Sequence, residues 1–509
     1  MPTHKKIKTP EELSGILEGQ KALGRKTVLC HGVFDLWHAG HLHQFEQAKE
    51  IGDILVVSLT TDRYVLKGPG RPVFNQNIRA SIIAALELTD YVVLCDTQDC
   101  VELIKLLKPD FYIKGASCRE RAEDPSTRVF LEKKAVEEVG GKLCFTHEIP
   151  IHATPLLNHY INPYPEDVLV FLDDFKKRYS FKEIINFLEQ LKKLKVMVIG
   201  EAIVDQYDFV KPMGVSPKGG VIALKYLNTE MYAGGSLACV GHIANFCSSV
   251  TLVTAIGSRN SHKRLILDSM ATDNTKPLIM TRDGLSTIIK RREIEMAYFR
   301  KYSETYTFDE APLTPSEEDS FMALLKDGGI KDADLVFVID YGHGLMTQRV
   351  IEFVCNNAPF LSVNTQVNSG NRGLNDVAKY PKADLVCLDR FEASLALRDQ
   401  WSTVPNQAVK LMASLGASIV AITQGHKGSV ISNNKEIFEI PIFSKKVIDT
   451  VGAGDAYYSL VAPCVRAGLP LELCGFIGNA AGAIATTYLG NKTTVNSKML
   501  LGFVDTLLG

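Results

Sequence analysis

No uninterrupted apolar run in this 509-residue chain reaches the roughly 18 residues of a membrane-spanning helix, so no span is expected. Met1–Leu13 carries Lys5, Lys6 and Lys8 but not the apolar stretch that a secretory signal needs. The eleven cysteines include no CxxC pair and no zinc-type spacing, and their number is odd. Neither a zinc finger nor a complete disulfide set is therefore expected, and they read as reduced thiols of a cytoplasmic protein. Charge of one sign is missing too: 56 Lys and Arg stand against 58 Asp and Glu. Without a basic or acidic excess there is no whole-chain footprint for nucleic acid or an anionic membrane, which leaves small molecules as the expected partners. An internal repeat and a low-complexity tract are also missing.

The length implies about two to four domains. In the first part, short apolar runs (Thr27–Cys30, Ile54–Leu59, Tyr91–Leu94, Phe111–Lys114) alternate with stretches of helical period (Leu42–Ile51, Ile78–Leu88), the pattern of a parallel sheet with crossover helices. A second series runs through Lys195–Gly200, Val250–Ile256, Leu335–Ile339, Ala383–Leu388 and Ser418–Thr423. Between them lie a proline-containing stretch and a charged amphipathic helical segment. The expected organisation is an α/β domain over 1–160, a linker and amphipathic helix over 161–194, and a second α/β domain over 195–509.

The densest chemical signal is Cys30-His31-Gly32-Val33-Phe34-Asp35-Leu36-Trp37-His38-Ala39-Gly40-His41, directly after the first apolar run. Gly32 lets backbone N–H groups approach a phosphate, and a helix starting near His38 would aim its positive end at that anion. His38 and His41, three residues apart, project from one helix face. As donors they suit charge developing on a triphosphate while a substrate phosphate attacks in line. These residues resemble the GxFDxxHxGH motif of the cytidylyltransferase-like nucleotidyltransferases. The resemblance continues through Leu66–Pro72, Asn77–Arg79 and Lys108–Gly115, and it implies a Rossmann-like domain. It also implies phosphate contacts from Phe34, Lys67 and Arg79, with Lys67 close to the chemistry. Two departures stand out. Ile151–Pro155 leaves Thr154 as the only hydroxyl where the family has an ISTT-like helix start, and Ala116-Ser117-Cys118 replaces an acidic segment.

The second signal is Asp449-Thr450-Val451-Gly452-Ala453-Gly454-Asp455-Ala456-Tyr457. A glycine turn opening a helix offers N–H groups to an anion, and Asp455 on the first turn is placed to take a proton from a substrate hydroxyl. This stretch resembles a signature of the ribokinase (PfkB) sugar kinases. That resemblance implies substrate contacts from Asp205, Gly234, Gly235 and Asp340. It implies an ATP site walled by Thr423, Gly425, Gly428 and Asn479, an anion hole over Gly452, Ala453 and Gly454, and Glu392 acting indirectly on magnesium. Asp449 and Thr450 are implied as seats for potassium. The departures fall on Ala238, where an asparagine is usual, on Asp389–Glu392, and on Asn364-Thr365-Gln366 in place of DPK.

Together the two halves resemble the bifunctional heptose kinase/adenylyltransferases with the domain order reversed. The implied function is phosphorylation of a sugar or sugar phosphate with ATP, and transfer of AMP or CMP from ATP or CTP to a sugar phosphate. Both need Mg²⁺, in a homodimer that makes an activated sugar for surface glycan synthesis. Two alternatives stay open: a CTP-dependent polyol-phosphate cytidylyltransferase whose kinase domain has another substrate, or one domain serving as a non-catalytic sensor of nucleotide or sugar phosphate.

Overall fold

A computed structural model of the chain describes residues 3–125, 127–146, 164–371, 373–444 and 447–508. The chain divides into two compact units, one ending at Pro163 and one running from Tyr164 to Leu508.

In the first unit, six strands lie in the order Ile7–Lys8, Tyr91–Cys95, Ile54–Thr60, Thr27–Gly32, Phe111–Lys114, Lys142–Phe145. All are parallel. Parallel strands covered on both faces need apolar residues throughout, and Ile54–Thr60 is buried along its whole length. Alternate residues of Thr27–Gly32 serve two cores. Leu29 packs with Val93 and Tyr112 on one face, Val28 and Cys30 with Phe45 and Ile83 on the other. The winding reverses between Thr27–Gly32 and Phe111–Lys114. A crevice forms beyond the carboxyl ends of strands at such a switch point, where the Gly32–His41 segment begins. The helix that follows, Ala39–Ile51, starts beside His38 as expected, and His38 caps it by accepting from Gly40 N–H at 3.1 Å. The second expected helix runs over Gln76–Ala85 and stops short of Leu88, where Leu86 turns extended.

The second unit is built on nine strands in the order Thr275–Ser286, Ser249–Arg259, Lys195–Gly200, Leu335–Asp340, Leu361–Thr365, Leu385–Asp389, Ile419–Thr423, Ser429–Asn433, Ile437–Ile440. The first seven are mutually parallel and the last two turn back as an antiparallel extension. A separate four-stranded sheet orders Arg300–Thr307, Ile288–Glu295, Ala202–Val215 and Ile222–Gly235. The sequence pattern did not announce this sheet. Its strands carry charge at consecutive positions, as in Lys290-Arg291-Arg292-Glu293, so no apolar alternation shows.

From residue 164 onward, the stretch read as linker and amphipathic helix supplies two helices of the second unit, Glu166–Arg178 and Phe181–Leu191. Ser180 and Glu183 form a capping box at the start of the latter. Phe175, fully buried, stacks on Phe476 at 4.1 Å between ring centroids, and Arg178 donates to both carboxylate oxygens of Glu472 at 3.0 and 2.5 Å. Truncating a fully buried phenylalanine costs about 3–5 kcal/mol. Phe175→Ala should therefore move the unfolding midpoint of the second unit sharply downward. Urea titration followed by Trp401 fluorescence, in a Trp37→Phe background, is the measurement.

Candidate active sites

In the first unit the His38 and His41 rings stack at 3.8 Å between centroids, with an interplanar angle of 26°. His38 Nδ1 accepts from Gly40 N–H, so the neutral ring carries its proton on Nε2 and presents a donor there. His41 is wedged between Phe34 (4.9 Å) and Trp37 (5.6 Å). Burial, followed by the charges of His38 and Lys67, pushes its pKa down to about 3. It is thus a neutral ring at pH 7, and its Nδ1 is buried with no hydrogen-bond partner. A buried polar atom left open is what an incoming phosphate oxygen or its bound water would satisfy. Lys67 lies near enough to act on the His41 ring electrostatically.

Two residues expected on phosphate do other work. Arg79 is almost fully buried: Nε donates to Phe74 O (2.9 Å), Nη1 to Val33 O (2.5 Å), and Nη2 to Thr60 O (2.9 Å) and Asp62 Oδ1 (2.6 Å). Its guanidinium is spent on tying the motif loop to its neighbours, leaving no free fork for phosphate. Phe34 is a core residue, 5.6 Å from Phe45, held at a φ of +49°. Gly32 is required by that packing, because a Cβ there would lie 3.1 Å from the Phe34 ring. Asp35, in the motif but given no role above, accepts from Arg71 Nη1 (3.0 Å), Val73 N–H (2.7 Å) and Phe74 N–H (3.1 Å). It fastens the Leu66–Pro72 loop that carries Lys67. Thr154 lies outside the described residues.

In the second unit Asp455 sits on the first turn of the helix Ala453–Arg466, whose cap, Gly452, has a φ of +82°. A Cβ at Gly452 would collide with the Asn491 side chain, whereas one at Gly454 would meet open space. Ala453 N–H donates to Thr450 O at 3.2 Å, so it closes the turn. Asp455 lines a cavity of about 280 Å³ together with Asp205, Lys290, Arg292, Glu392 and Asn491. Its Oδ1 accepts from Gln366 Nε2 at 2.7 Å and its Oδ2 from Tyr341 Oη at 3.2 Å. Burial and then the Asp205 charge raise its pKa to about 6. Gln366 was noted above only as a departure from a familiar pattern, and Tyr341 stands one residue beyond the aspartate that was singled out. Nothing in the sequence marked either as a partner of Asp455.

Asp205 accepts from Arg292 Nη1 at 2.7 Å and Asn491 Nδ2 at 3.1 Å. Gly234 must be glycine because any Cβ would strike that carboxylate, and Gly235, with a φ of +59°, passes close to Glu201 O. Asp340 is not on the cavity. Its fully buried carboxylate accepts from Tyr380 Oη (2.7 Å), Lys379 Nζ (2.6 Å) and Gly342 N–H (2.9 Å). It therefore shapes the turn that delivers Tyr341 instead of holding substrate. Glu201 shares that task, accepting from Tyr341 and His343 N–H at 3.0 Å each. Thr423 reaches the cavity, and with Gly425 it also lines an adjoining groove of about 760 Å³. Asn479 donates to Ile440 O and Pro441 O at 2.9 Å each, and a Cβ at Gly428 would strike Ile440 O. Both thus hold the wall segment in place.

Glu392 caps a helix with Asp389, accepting from Asp389 N–H (2.8 Å) and Val367 N–H (2.9 Å). Burial, with the Asp389 charge, lifts its pKa to about 8. An oxygen-only donor set that cannot keep its own charges fits a hard divalent cation arriving with a polyphosphate. Thr450 is exposed on the cavity rim. Asp449 is saturated: Oδ1 accepts from Lys301 Nζ (2.7 Å) and Val451 N–H (3.2 Å), Oδ2 from Tyr207 Oη (3.1 Å) and Gly490 N–H (3.1 Å). Burial opposes its ionisation, yet Lys301 and these donors hold its pKa below the usual carboxylate value. The Lys301 ammonium is thus paired with a carboxylate that the family resemblance implied as a seat for potassium.

A family model described as pfkB family carbohydrate kinase matches residues 193–498, and one described as cytidylyltransferase-like matches residues 29–160. Curated relatives named "Bifunctional protein HldE" from Geobacter metallireducens and Aliarcobacter butzleri are each 41% identical, over 140 and 138 residues. These alignments cover 27% of this chain and 27% and 29% of the relatives, so the chain spans under a third of their length. Phosphofructokinase-2 from Escherichia coli, solved in complex with potassium, superposes with a TM-score of 0.51 at 16% identity. It covers 62% of this chain and 99% of its own, a likeness of fold.

If Asp455 is a base, kcat/KM for phosphoryl transfer should fall about tenfold per pH unit below an apparent pKa near 6. The Tyr341 and Gln366 hydrogen bonds lower that pKa, so Tyr341→Phe and Gln366→Met should each move the limb upward, as a pH–rate profile would register. Turnover should also be the same in Na⁺ and K⁺. Lys301→Ala should slow it by about tenfold in Na⁺, or ~1.4 kcal/mol of barrier, with K⁺ restoring it.

Proposed function

We propose that this chain, which belongs to the pfkB family of carbohydrate kinases and carries a cytidylyltransferase-like domain ahead of the kinase, is a bifunctional enzyme. Its second unit phosphorylates a sugar or sugar phosphate with ATP. Its first unit transfers AMP or CMP to a sugar phosphate and releases pyrophosphate. The observation that carries the reading is Asp455, a buried carboxylate of raised pKa at a helix start, facing a cavity large enough for a sugar. Asp455 accepts the proton of the substrate hydroxyl as its oxygen attacks the γ-phosphorus. The amides at the helix start meet the charge that builds on the transferring group, and ADP departs.

Lys290 favours a phosphorylated or otherwise anionic sugar. It is 7% exposed, lines the same cavity, lies over the Tyr341 and Tyr306 rings, and among the described residues has no carboxylate within ion-pair distance. A buried ammonium without a counter-ion is costly unless a ligand supplies one. In the first unit the phosphate oxygen of the acceptor attacks the α-phosphorus of the nucleotide, while His38, the neutral His41 ring and the Lys67 ammonium meet the charge on the leaving pyrophosphate. No enzyme nucleophile is needed. Mg²⁺ bound with the triphosphate supplies charge neutralisation at both sites, and the groups placed to receive it in the second unit are Asp389 and Glu392.

The product is proposed to be a nucleotide-activated sugar for surface glycan synthesis, made in the cytoplasm. Among the described residues no helix is long and apolar enough to cross a membrane, and all eleven cysteines are unpaired. Exposed apolar residues on the four-stranded sheet of the second unit, among them Met213, Val215, Ile222 and Tyr226, support pairing with a second copy.

The test is incubation of the purified protein with ATP or CTP and a panel of sugars, each offered with and without a phosphate, with products read by mass spectrometry. Phosphorylated sugars should be the preferred kinase substrates. Asp455→Asn should abolish phosphorylation and spare pyrophosphate release. His41→Ala should lower nucleotidyl transfer by about a hundred- to a thousandfold, mainly in kcat, and spare the kinase. Loss of both activities in either folded variant would refute two separate sites, persistence of transfer in His41→Ala would refute the role given to His41, and no transfer by the wild-type protein with any donor and acceptor would make the first unit a sensor.

A further inference from the structure

The sequence offers no zinc-type spacing, yet the first unit brings together three metal-ligating side chains from separate segments. His31 stands at the end of the strand Thr27–Gly32, Cys95 ends the strand Tyr91–Cys95, and Cys100 caps the helix Val101–Leu107. A ring nitrogen of His31 and the two sulfurs all lie within 4.8 Å of one another. Both thiols are buried and His31 is half-buried. They belong to the core face that holds Leu29, Val93 and Tyr112, whereas Phe34 packs in the core on the other face of the sheet. The cluster is therefore not part of the His38/His41 site. We propose that His31, Cys95 and Cys100 bind one borderline-soft divalent cation, zinc, which pins the carboxyl ends of these strands to the start of the Val101–Leu107 helix.

The donor chemistry supports one ion of this class. Two sulfurs and an imidazole select zinc over magnesium or calcium. Two thiolates cancel the charge of a divalent ion, so a neutral assembly is what enters the buried site. The nearest other charges, Lys114 and Glu132, already neutralise each other at 2.9 Å, leaving the thiols as the source of compensation. Polar atoms complete the surroundings. Ser58 Oγ lies 3.0 Å from His31 Nδ1 and 3.9 Å from Cys100 Sγ, and Thr97 Oγ1 lies 3.3 Å from Cys95 Sγ. Ligand atoms of a tetrahedral zinc site stand about 3.8 Å apart, given zinc–sulfur bonds of about 2.3 Å. Binding thus asks for a contraction of roughly 1 Å, within the reach of side-chain rotation. Ser58 Oγ or a water is left for the fourth position.

The test uses the full chain, reduced and stripped of metal with a chelator, then titrated with zinc and separately with cobalt under a thiol-free reductant. The expected result is about one equivalent of zinc retained through gel filtration, with cobalt giving sulfur-to-metal charge-transfer absorption and tetrahedral visible bands. Zinc should also slow modification of Cys95 by a thiol reagent in the wild-type protein, a reading that needs no variant. Cys95→Ser and Cys100→Ser should each lose at least tenfold in affinity, and His31→Asn likewise, with circular dichroism confirming that each is folded. Retention of less than half an equivalent overturns the proposal, as do zinc binding unchanged in folded variants, no protection of Cys95, or a Cys95–Cys100 disulfide forming in place of metal binding.

Discussion

Asp455 is a carboxylate buried beside other carboxylates, with two neutral donors, Tyr341 and Gln366, on its oxygens and no ion pair. That arrangement keeps its pKa near neutrality, where a group can both receive a proton and release it. The surrounding unit is organised around sustaining it. Leu335–Asp340 ends at the turn that delivers Tyr341, and Leu361–Thr365 ends one residue before Gln366. The four-stranded sheet contributes Asp205, Lys290 and Arg292, so charge on either side tunes the base. A stronger cationic partner would leave Asp455 too weak a base, and none at all would leave it protonated.

Much of the machinery consists of charged groups that never meet substrate. Asp340 and Glu201 hold the Tyr341 turn by accepting backbone N–H groups. In the first unit Asp35 likewise accepts backbone N–H groups, while Arg79 donates to backbone carbonyls of the motif loop and its neighbours. Loop backbone at a ligand site cannot satisfy itself through ladder hydrogen bonds, because its own amides are needed for the ligand. Buried side chains supply the missing partners, which explains why these residues sit inside the same motifs as the groups facing the cavity.

The two units handle buried ionisable groups in different ways. The first keeps the His41 ring neutral by burial, with Lys67 close by. The second gathers acids, and burial with the neighbouring Asp389 charge holds the Glu392 carboxyl well above the usual carboxylate range. Asp449 is the exception among those acids, because Lys301 compensates it within the protein itself.

The α/β class, the main parallel strands and the two glycine-and-histidine or glycine-and-aspartate motifs were all legible in the sequence. Apolar periodicity and residues at short fixed spacing are local properties, and the geometry they impose is local too. The sequence by itself determined that His38 and His41 share a helix start and that Asp455 stands behind a glycine turn. Tertiary structure alone decided which neighbours those residues meet. It withdrew Arg79 and Asp340 from the ligand sites, brought Gln366 and Tyr341 to Asp455, set Lys301 against Asp449 and gathered His31, Cys95 and Cys100. The Gln366, Tyr341 and Lys301 pairings and the approach of His31 to the two thiols each cross tens to hundreds of residues. Their partners are chosen by strand order and by the burial of charge, neither of which leaves a trace in the spacing of residues along the chain.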